Sequence, residues 1–533
     1  MIRRDFLHTA LGAAALAALP RASAASRAYI DLDPTRPGAT ISPLMHGHFI
    51  EHLGGVIYDG VWVGEDSRIP NVGGIRKALV DALKPLHPPV IRWPGGCFAD
   101  SYNWRDGVGP RASRPTRTNF WMDVEGLAKQ AGGPQKFEPN AFGTNEFMRL
   151  CRMTGAEPYF AGNVRSLPAK DFYEWIDYCN APAGSTTLAK LREQTGDHDP
   201  FNVHFWGVGN ESWGCGGEMT PEEYSTAFRR YTAWTPGMGV PLNFIASGPN
   251  GDEIEWTQRF FAALAAKNKD LVERVWGWAL HYYCGTAGES PIEFSNDEWY
   301  ELLAKANRME SIIERHWGAL GINDPKHHVK LAVDEWGAWH NVGTEPHPAY
   351  IFAQQSSMRD ALVSGLTLDT FQRHPEKVGM ANAAQLINCL HGLFLAYEDK
   401  FTVTPNYHVF AMYAAHQGAA KVAAQIDTEF RSVAGQVPLP ELSGSASIAN
   451  KTLTLTLVNT RHDAQMERTI RLRGASAKSV KATILANSDL HAHNTFEAPR
   501  TVEPRSETLT ASGAEFTVRI APASVTKLEI ELV

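Results

Sequence analysis

Glu211 and Glu335 are the residues of this chain whose surroundings best suit chemistry. Glu211 closes an apolar run in WGVGNESWGCGG, behind Asn210 and ahead of Trp213. Glu335 closes another in HVKLAVDEWG, next to Trp336. Two carboxylates facing each other across a pocket are what cleavage of a glycosidic bond requires. One stays protonated to donate to the leaving oxygen; the other is ionised, to attack the sugar or to activate water. A lone glutamate after a strand is most often a solvated loop charge, and it is the pair that favours chemistry. A metal site is the rival. MHGHFIEHLG holds His46, His48 and His52, and His48 and His52 have the i, i+4 spacing of a zinc helix. The flanking residues read as strand and loop, however, and no glutamate follows His48 directly. The three histidines are read as hydrogen-bonding scaffold, and no metal is expected. GVGN is not a dinucleotide loop, because the third glycine is misplaced and no helix opens there.

The elements that must position these residues alternate along the chain. MHGHFIEH, PPVIRWPGG, AEPYFAGNV, VHFWGVGNE, NFIASGP, VWGWALHYY, HVKLAVDEWG and GMANAAQLIN are eight short apolar strand candidates. Helical stretches separate them. TNEFMRLCRMTG carries helical spacing and ends in Gly155, and TPEEYSTAFRRYTAW opens with a capping box of Thr220, Pro221 and Glu223. Buried strands alternating with amphipathic helices predict parallel β/α units, and eight of them predict a closed (β/α)8 barrel. After about Phe401 the period changes to two. KTLTLTLVNT places Leu453, Leu455 and Leu457 on one face, and RTIRLRG, SVKATILAN, EFTVRI and SVTKLEIELV follow. These helix-free strands read as an antiparallel β-sandwich, which the early RAYIDLD segment joins. The expected organisation is a signal segment over 1–24, an N-terminal sandwich strand over 25–41, the barrel over 42–400 and the sandwich over 401–533.

Catalytic groups of such barrels sit at the C-terminal ends of strands. Here those ends carry Glu51, then Pro94-Gly95-Gly96-Cys97, then Asn210-Glu211, His281-Tyr282-Tyr283, Asp334-Glu335-Trp336 and Gln385. Strands four and seven would place Glu211 and Glu335 on opposite sides of the mouth.

Bulk composition narrows the partners. The 533 residues carry a net charge of −8 and no basic block, which argues against nucleic acid. Fifteen Trp, fifteen Tyr and 24 Phe suit sugar faces, and equally suit cores. MIRRDFLHTALGAAALAALPRASA has the charged start, apolar stretch and Ala-Ser-Ala end of a signal peptide, with Arg3-Arg4 resembling a twin-arginine export signal. Its apolar run is too short to span a bilayer. A mature start near Ala25 and export to the periplasm or exterior are expected. The six cysteines show no metal-ligand spacing. An even count and an oxidising destination leave a disulfide open, with buried free thiols as the default.

The motifs GHFIEHLGG, IRWPGGCFADSYNWRDGVGP, WGVGNESWGCGG, LHYY, VDEWGAWH and MANAAQLIN, in this order, resemble the α-L-arabinofuranosidases of glycoside hydrolase family 51. GNE alone is shared with many barrel glycosidases; six motifs in register are specific. The resemblance implies a barrel plus sandwich and a retaining double displacement without cofactor. It implies Glu211 as acid/base and Glu335 as nucleophile. It implies Glu51, Asn210, Tyr283 and Gln385 as groups holding the furanose and the nucleophile, and Trp121 and Trp339 as pocket walls. Many relatives carry Asn where Cys97 stands, so Cys97 is read either as a sugar contact or as a small buried filler. The implied substrate is a terminal arabinofuranosyl residue on a plant oligo- or polysaccharide; the implied assembly is a homo-oligomer, often a hexamer. Retention requires carboxyl groups about 5 Å apart, and that separation is expected. The alternatives are an endoglucanase or xylosidase on the same scaffold, or a non-catalytic sugar-binding protein.

Overall fold

The computed structural model describes residues 28–123, 136–285, 287–288, 290–341 and 350–533. The signal segment expected over 1–24 lies outside the described residues. Eight parallel strands close into a barrel. In chain order they are β1 (Gly47–Phe49), β2 (Val90–Trp93), β3 (Glu157–Gly162), β4 (Phe205–Val208), β5 (Asn243–Ala246), β6 (Val275–Tyr283), β7 (Lys330–Gly337) and β8 (Val378–Ala384). Their near-continuous apolar runs follow from burial on both faces, since helices cover the outside and side chains fill the inside. Val90, Tyr159, Phe205, Ile245, Ala279, Ala332 and Met380 pack together as the interior plug. The plug makes the barrel a solid platform for whatever stands on its upper rim.

The helix before β3, Thr144–Thr154, ends in the left-handed Gly155, and the helix after β4, Pro221–Thr232, opens on the Thr220–Glu223 capping box. Both local signals act as read from sequence.

The C-terminal region contains two main sheets, besides the two-stranded pair Phe430–Arg431 with Leu439–Pro440. One has four strands, in the order Ala424–Ile426, Tyr29–Leu32, Met466–Leu472 and Glu515–Ile520; the other has six. Tyr29–Leu32 pairs antiparallel with Ala424–Ile426 and parallel with Met466–Leu472, so the sandwich is not purely antiparallel. Leu453, Leu455 and Leu457 enter the sandwich core. The intervening Thr454 and Thr456 are buried as well, because the other face of that sheet lies on helix Met358–Arg373 of the barrel. The region is also not free of helices: Pro405–Tyr413 is helical, with Pro405 in its first turn. That helix is apolar on most sides and packs on Met358–Arg373, so no one-sided stripe marks it in the sequence. Among the described residues, no helix is long and apolar enough to cross a membrane.

Candidate active site

The upper rim gathers the residues that the sequence singled out. Glu51, Cys97, Trp121, Glu211, Tyr283, Glu335, Trp339 and Gln385 line one pocket of about 70 Å³, together with Gly96, Leu53, Phe352 and Leu390. Asn210 stands just outside that lining and is buried. Strands β4 and β7 are three steps apart around the ring rather than directly opposite. One oxygen from each of Glu211 and Glu335, and a ring nitrogen of His281, all lie within 4.8 Å of one another.

Glu335 is held from two sides. Arg92 Nη1 donates to its Oε1 at 2.7 Å, and the Tyr283 hydroxyl donates to its Oε2 at 2.8 Å. Arg92 is fully buried and spreads its other donors, Nη2 reaching Asn210 Oδ1 at 2.7 Å and Nε lying 3.4 Å from Asp334 Oδ2. Burial works against its charge, but Asp334 and Glu335 more than offset that and raise its pKa. Tyr159 ties the interior plug to the rim by donating to Asp334 Oδ2 at 2.9 Å. Burial opposes the Asp334 charge, yet the nearby Arg92 and His281 charges leave its pKa below the ordinary value.

His281 joins the two glutamates. Its Nδ1 lies 2.9 Å from Glu211 Oε1 and 3.5 Å from Glu335 Oε2, and its Nε2 lies 3.0 Å from Asp334 Oδ1. Burial alone would keep the ring neutral, but the carboxylates prevail and push its pKa up to about 10. The ring is therefore an imidazolium at neutral pH, with Nδ1 hydrogen-bonded to Glu211 and Nε2 in ion-pair contact with Asp334. Glu51 shows the opposite balance. Burial and the neighbouring Glu335 charge raise its pKa to about 7, against the Phe98 N–H (2.9 Å) and the Gln385 amide (3.0 Å) that favour the ion.

Two glycines explain the PGG motif after β2. A Cβ on Gly95 would fall 2.7 Å from Glu51 Cγ, and one on Gly96 would fall 2.6 Å from Glu335 Oε1. The backbone must approach both carboxylates closely, and only glycine permits it. An aromatic fence walls the pocket: Tyr283, Trp339, Phe352 and Trp121 meet in succession, edge to face, at 5.3, 4.9 and 5.6 Å.

The disulfide left open by the sequence exists for one pair, and the default of buried free thiols holds for the other four cysteines. Cys97 and Cys215 form a disulfide, while Cys151, Cys179, Cys284 and Cys389 are buried free thiols. The ends of β2 and β4 converge at the rim, bringing together cysteines 118 residues apart. Glu211 Oε2 lies 3.6 and 3.4 Å from the two sulfurs, which carry no hydrogen and make van der Waals contact only. Cys97 is thus neither a free thiol nor a buried filler. The three histidines do not converge. His52 binds Glu138 at 2.7 Å, His46 meets Gln372, and His48 packs on Phe410.

Arg92, His281 and Asp334 are parts of the site whose roles the sequence alone does not mark. Arg92 had a signal: a lone cation inside the apolar strand VIRW must find a partner. His281 and Asp334 stood at strand ends, but nothing in their order says which carboxylate each will meet.

A barrel whose rim holds two adjacent carboxylates, one beside a cationic histidine and one clamped by arginine and tyrosine, both lining one pocket, defines a glycoside hydrolase. The profile described as alpha-L-arabinofuranosidase 1 domain matches residues 82–270, and that described as alpha-L-arabinofuranosidase C-terminal domain matches residues 334–524. An intracellular exo-α-L-arabinofuranosidase of Bacteroides ovatus is 36% identical over 97% of this chain and 98% of its own. The GH51 arabinofuranosidase from Xanthomonas axonopodis pv. citri superposes with a TM-score of 0.86 at 35% identity, covering 95% of this chain and all of its own. The chain belongs to the α-L-arabinofuranosidases of glycoside hydrolase family 51.

These relatives overturn one expectation. The Bacteroides ovatus enzyme is named intracellular, as is an exo-α-(1→5)-L-arabinofuranosidase of Streptomyces lividans, 27% identical over 90% of this chain and 71% of its own. The export to the periplasm or exterior read from the N-terminal segment is corrected accordingly. A charged start and a short apolar run are compositional features, and composition alone does not make an address.

Proposed function

We propose that this enzyme removes single terminal arabinofuranosyl residues from arabinose-containing oligo- or polysaccharides, with retention of configuration. The observation that carries the reading is the placement of Glu211 and Glu335, with oxygens within 4.8 Å of each other. Inverting enzymes need about 6.5–9.5 Å between carboxyl groups to admit water; retaining enzymes need about 5–5.5 Å.

In this reading Glu335 is the nucleophile. Arg92 and Tyr283 direct two strong hydrogen bonds to its carboxylate, which hold it in place and aim it. Glu211 is the acid/base, protonating the departing oxygen and then taking a proton from water. The His281 cation spans both carboxylates and compensates the charge as it moves from one to the other. Asn210, oriented by Arg92, addresses the hydroxyl beside the reacting carbon, and Glu51 and Gln385 hold the far side of the ring. The pocket of about 70 Å³ is far below the roughly 300–1,000 Å³ typical of sites for drug-sized ligands. A space of that size suits one ring and supports exo action over an endo-acting groove.

The test is hydrolysis of aryl α-L-arabinofuranoside, β-D-xyloside and β-D-glucoside, with the anomer released first followed by proton NMR. Rapid cleavage of the arabinofuranoside with the same anomer appearing first is expected. First release of the opposite anomer would overturn retention, and preference for another sugar would overturn the substrate.

A further inference from the structure

Asp100 lies three residues after Cys97, in the single turn Ala99–Ser101, and is completely buried. It does not line the pocket. Its carboxylate accepts three backbone N–H groups. Oδ1 takes those of Val164 (2.7 Å) and Arg165 (3.0 Å), just beyond β3, and Oδ2 takes that of Asn210 (3.0 Å), just beyond β4. The Asp100 carbonyl in turn accepts Ser166 Oγ at 2.9 Å and Arg165 Nε at 3.2 Å. One aspartate therefore ties the loop after β2 to the ends of two neighbouring strands.

The bond to Asn210 is the informative one. The next residue is Glu211, whose φ of +39° lies in the left-handed region. A glutamate stays there only where the surroundings over-determine it. The chain then folds back at once, with the Gly214 and Gly216 amides donating to the Glu211 carbonyl at 2.8 and 3.1 Å. A Cβ on Gly216 would fall 1.7 Å from the Asn210 carbonyl oxygen and 3.0 Å from Asp100 Oδ2. The turn presenting Glu211 is pressed against Asp100, and the Cys97–Cys215 bridge closes its far side. Three amides on two oxygens also explain the residue type. A carboxylate has two acceptor edges, whereas an asparagine has one and would turn an NH2 against at least one N–H.

We propose that Asp100 is a positioning residue for Glu211, holding the left-handed turn so that the Glu211 carboxyl points at the leaving-group oxygen. The proposal rests on Glu211 being the acid, and the experiment separates the two. Asp100→Asn and Glu211→Gln are compared with the parent enzyme on two aryl α-L-arabinofuranosides. One bears 2,4-dinitrophenol, which departs without protonation; the other bears phenol, which does not. The readout is kcat/KM, which reports the step that expels the aglycone.

General acid catalysis contributes roughly 10²–10⁴-fold, so Glu211→Gln loses far more on the phenyl than on the dinitrophenyl substrate. Asp100→Asn shows the same split, with a loss at least about tenfold larger on the phenyl substrate. Equal losses on both substrates in Asp100→Asn, beside a clear split in Glu211→Gln, overturn the proposal and leave Asp100 a structural tie. The lack of a split in Glu211→Gln overturns the acid assignment itself, and the proposal falls with it. If the asparagine variant is not recovered folded, Asp100→Ser, which leaves space in place of opposed N–H groups, is read by the same ratio.

Discussion

The barrel mouth and the seam between barrel and sandwich are both buried, both polar and both rich in titratable groups. At the seam, Asp369 accepts hydrogen bonds from Ser445 (2.7 Å) and Thr456 (2.6 Å). His416 meets Ser447 at 2.7 Å, and Gln372 meets His46 at 3.0 Å. Burial raises the pKa of Asp369 to about 6 and lowers those of His46 and His416 to about 4 and 3. Glu51 at the mouth is shifted upward in the same direction. A perturbed pKa therefore does not by itself mark the catalytic region. The mouth differs in two ways. Its cations and carboxylates are set against each other, Arg92 and His281 facing Asp334 and Glu335, and they border a pocket. The seam's groups close on one another at helix-to-sheet contact, Asp369 with them, its Oδ1 capped by two hydroxyls. Fields aimed into space can act on a substrate, whereas hydrogen bonds closed on one another can only hold.

The heaviest loss falls at the proposed nucleophile. Glu335→Gln lowers kcat on an aryl arabinofuranoside at least about a thousandfold, with unchanged circular dichroism. A residual rate within tenfold of the parent would remove the mouth's claim to the chemistry. Next is His281→Gln. It deletes the cation that favours ionised carboxylates, so kcat/KM drops about 10- to 100-fold and the acidic limb of its pH profile moves to higher pH. An unmoved limb would make His281 a spacer.

A pair of glycines tests the contrast directly. Gly96→Ala drives a methyl to 2.6 Å from Glu335 Oε1, whereas Gly365→Ala drives one to 2.8 Å from Val458 Cγ2 at the seam. The first variant loses activity about tenfold or more with little change in Tm. The second loses about 1–3 kcal/mol of stability and keeps its kcat/KM. Matching losses in both would dissolve the distinction between the regions.

The smallest effect is a pH dependence confined to the seam. The folded pKa of Asp369, about 6, lies above the ordinary aspartate value of 3.8. The folded state therefore holds the proton more tightly. The stability this group contributes is complete below about 4 and is lost as pH rises through 6. Asp369→Asn has a flatter dependence of unfolding free energy on pH between 4 and 7 than the parent, measured by urea denaturation, with kcat/KM unchanged. An identical slope would mean that Asp369 does not titrate in that window.

Much of this architecture was legible in the chain. Apolar runs closed by polar residues marked the eight barrel strands, because buried parallel strands need both faces apolar. The alternation around Leu453, Leu455 and Leu457 marked the sandwich. It could not show that Thr454 and Thr456 would also be covered, since that depends on helix Met358–Arg373 docking against them. Helix Pro405–Tyr413 escaped notice because a helix buried on most sides carries no one-sided stripe.

Strand order and spacing are enough to say which residues reach the rim. A strand's direction and a two-residue period place Glu51, Glu211, Tyr283, Glu335 and Gln385 at strand ends wherever the barrel closes. Which of them meet depends on how the barrel closes. The grip of Arg92 on Glu335, the span of His281, the Cys97–Cys215 bridge and the hold of Asp100 on the turn before Glu211 each join different strands of the barrel. Hydrogen bonds and ion pairs act over a few ångströms, and at that range partners are set by barrel closure and strand stagger, not by separation along the chain.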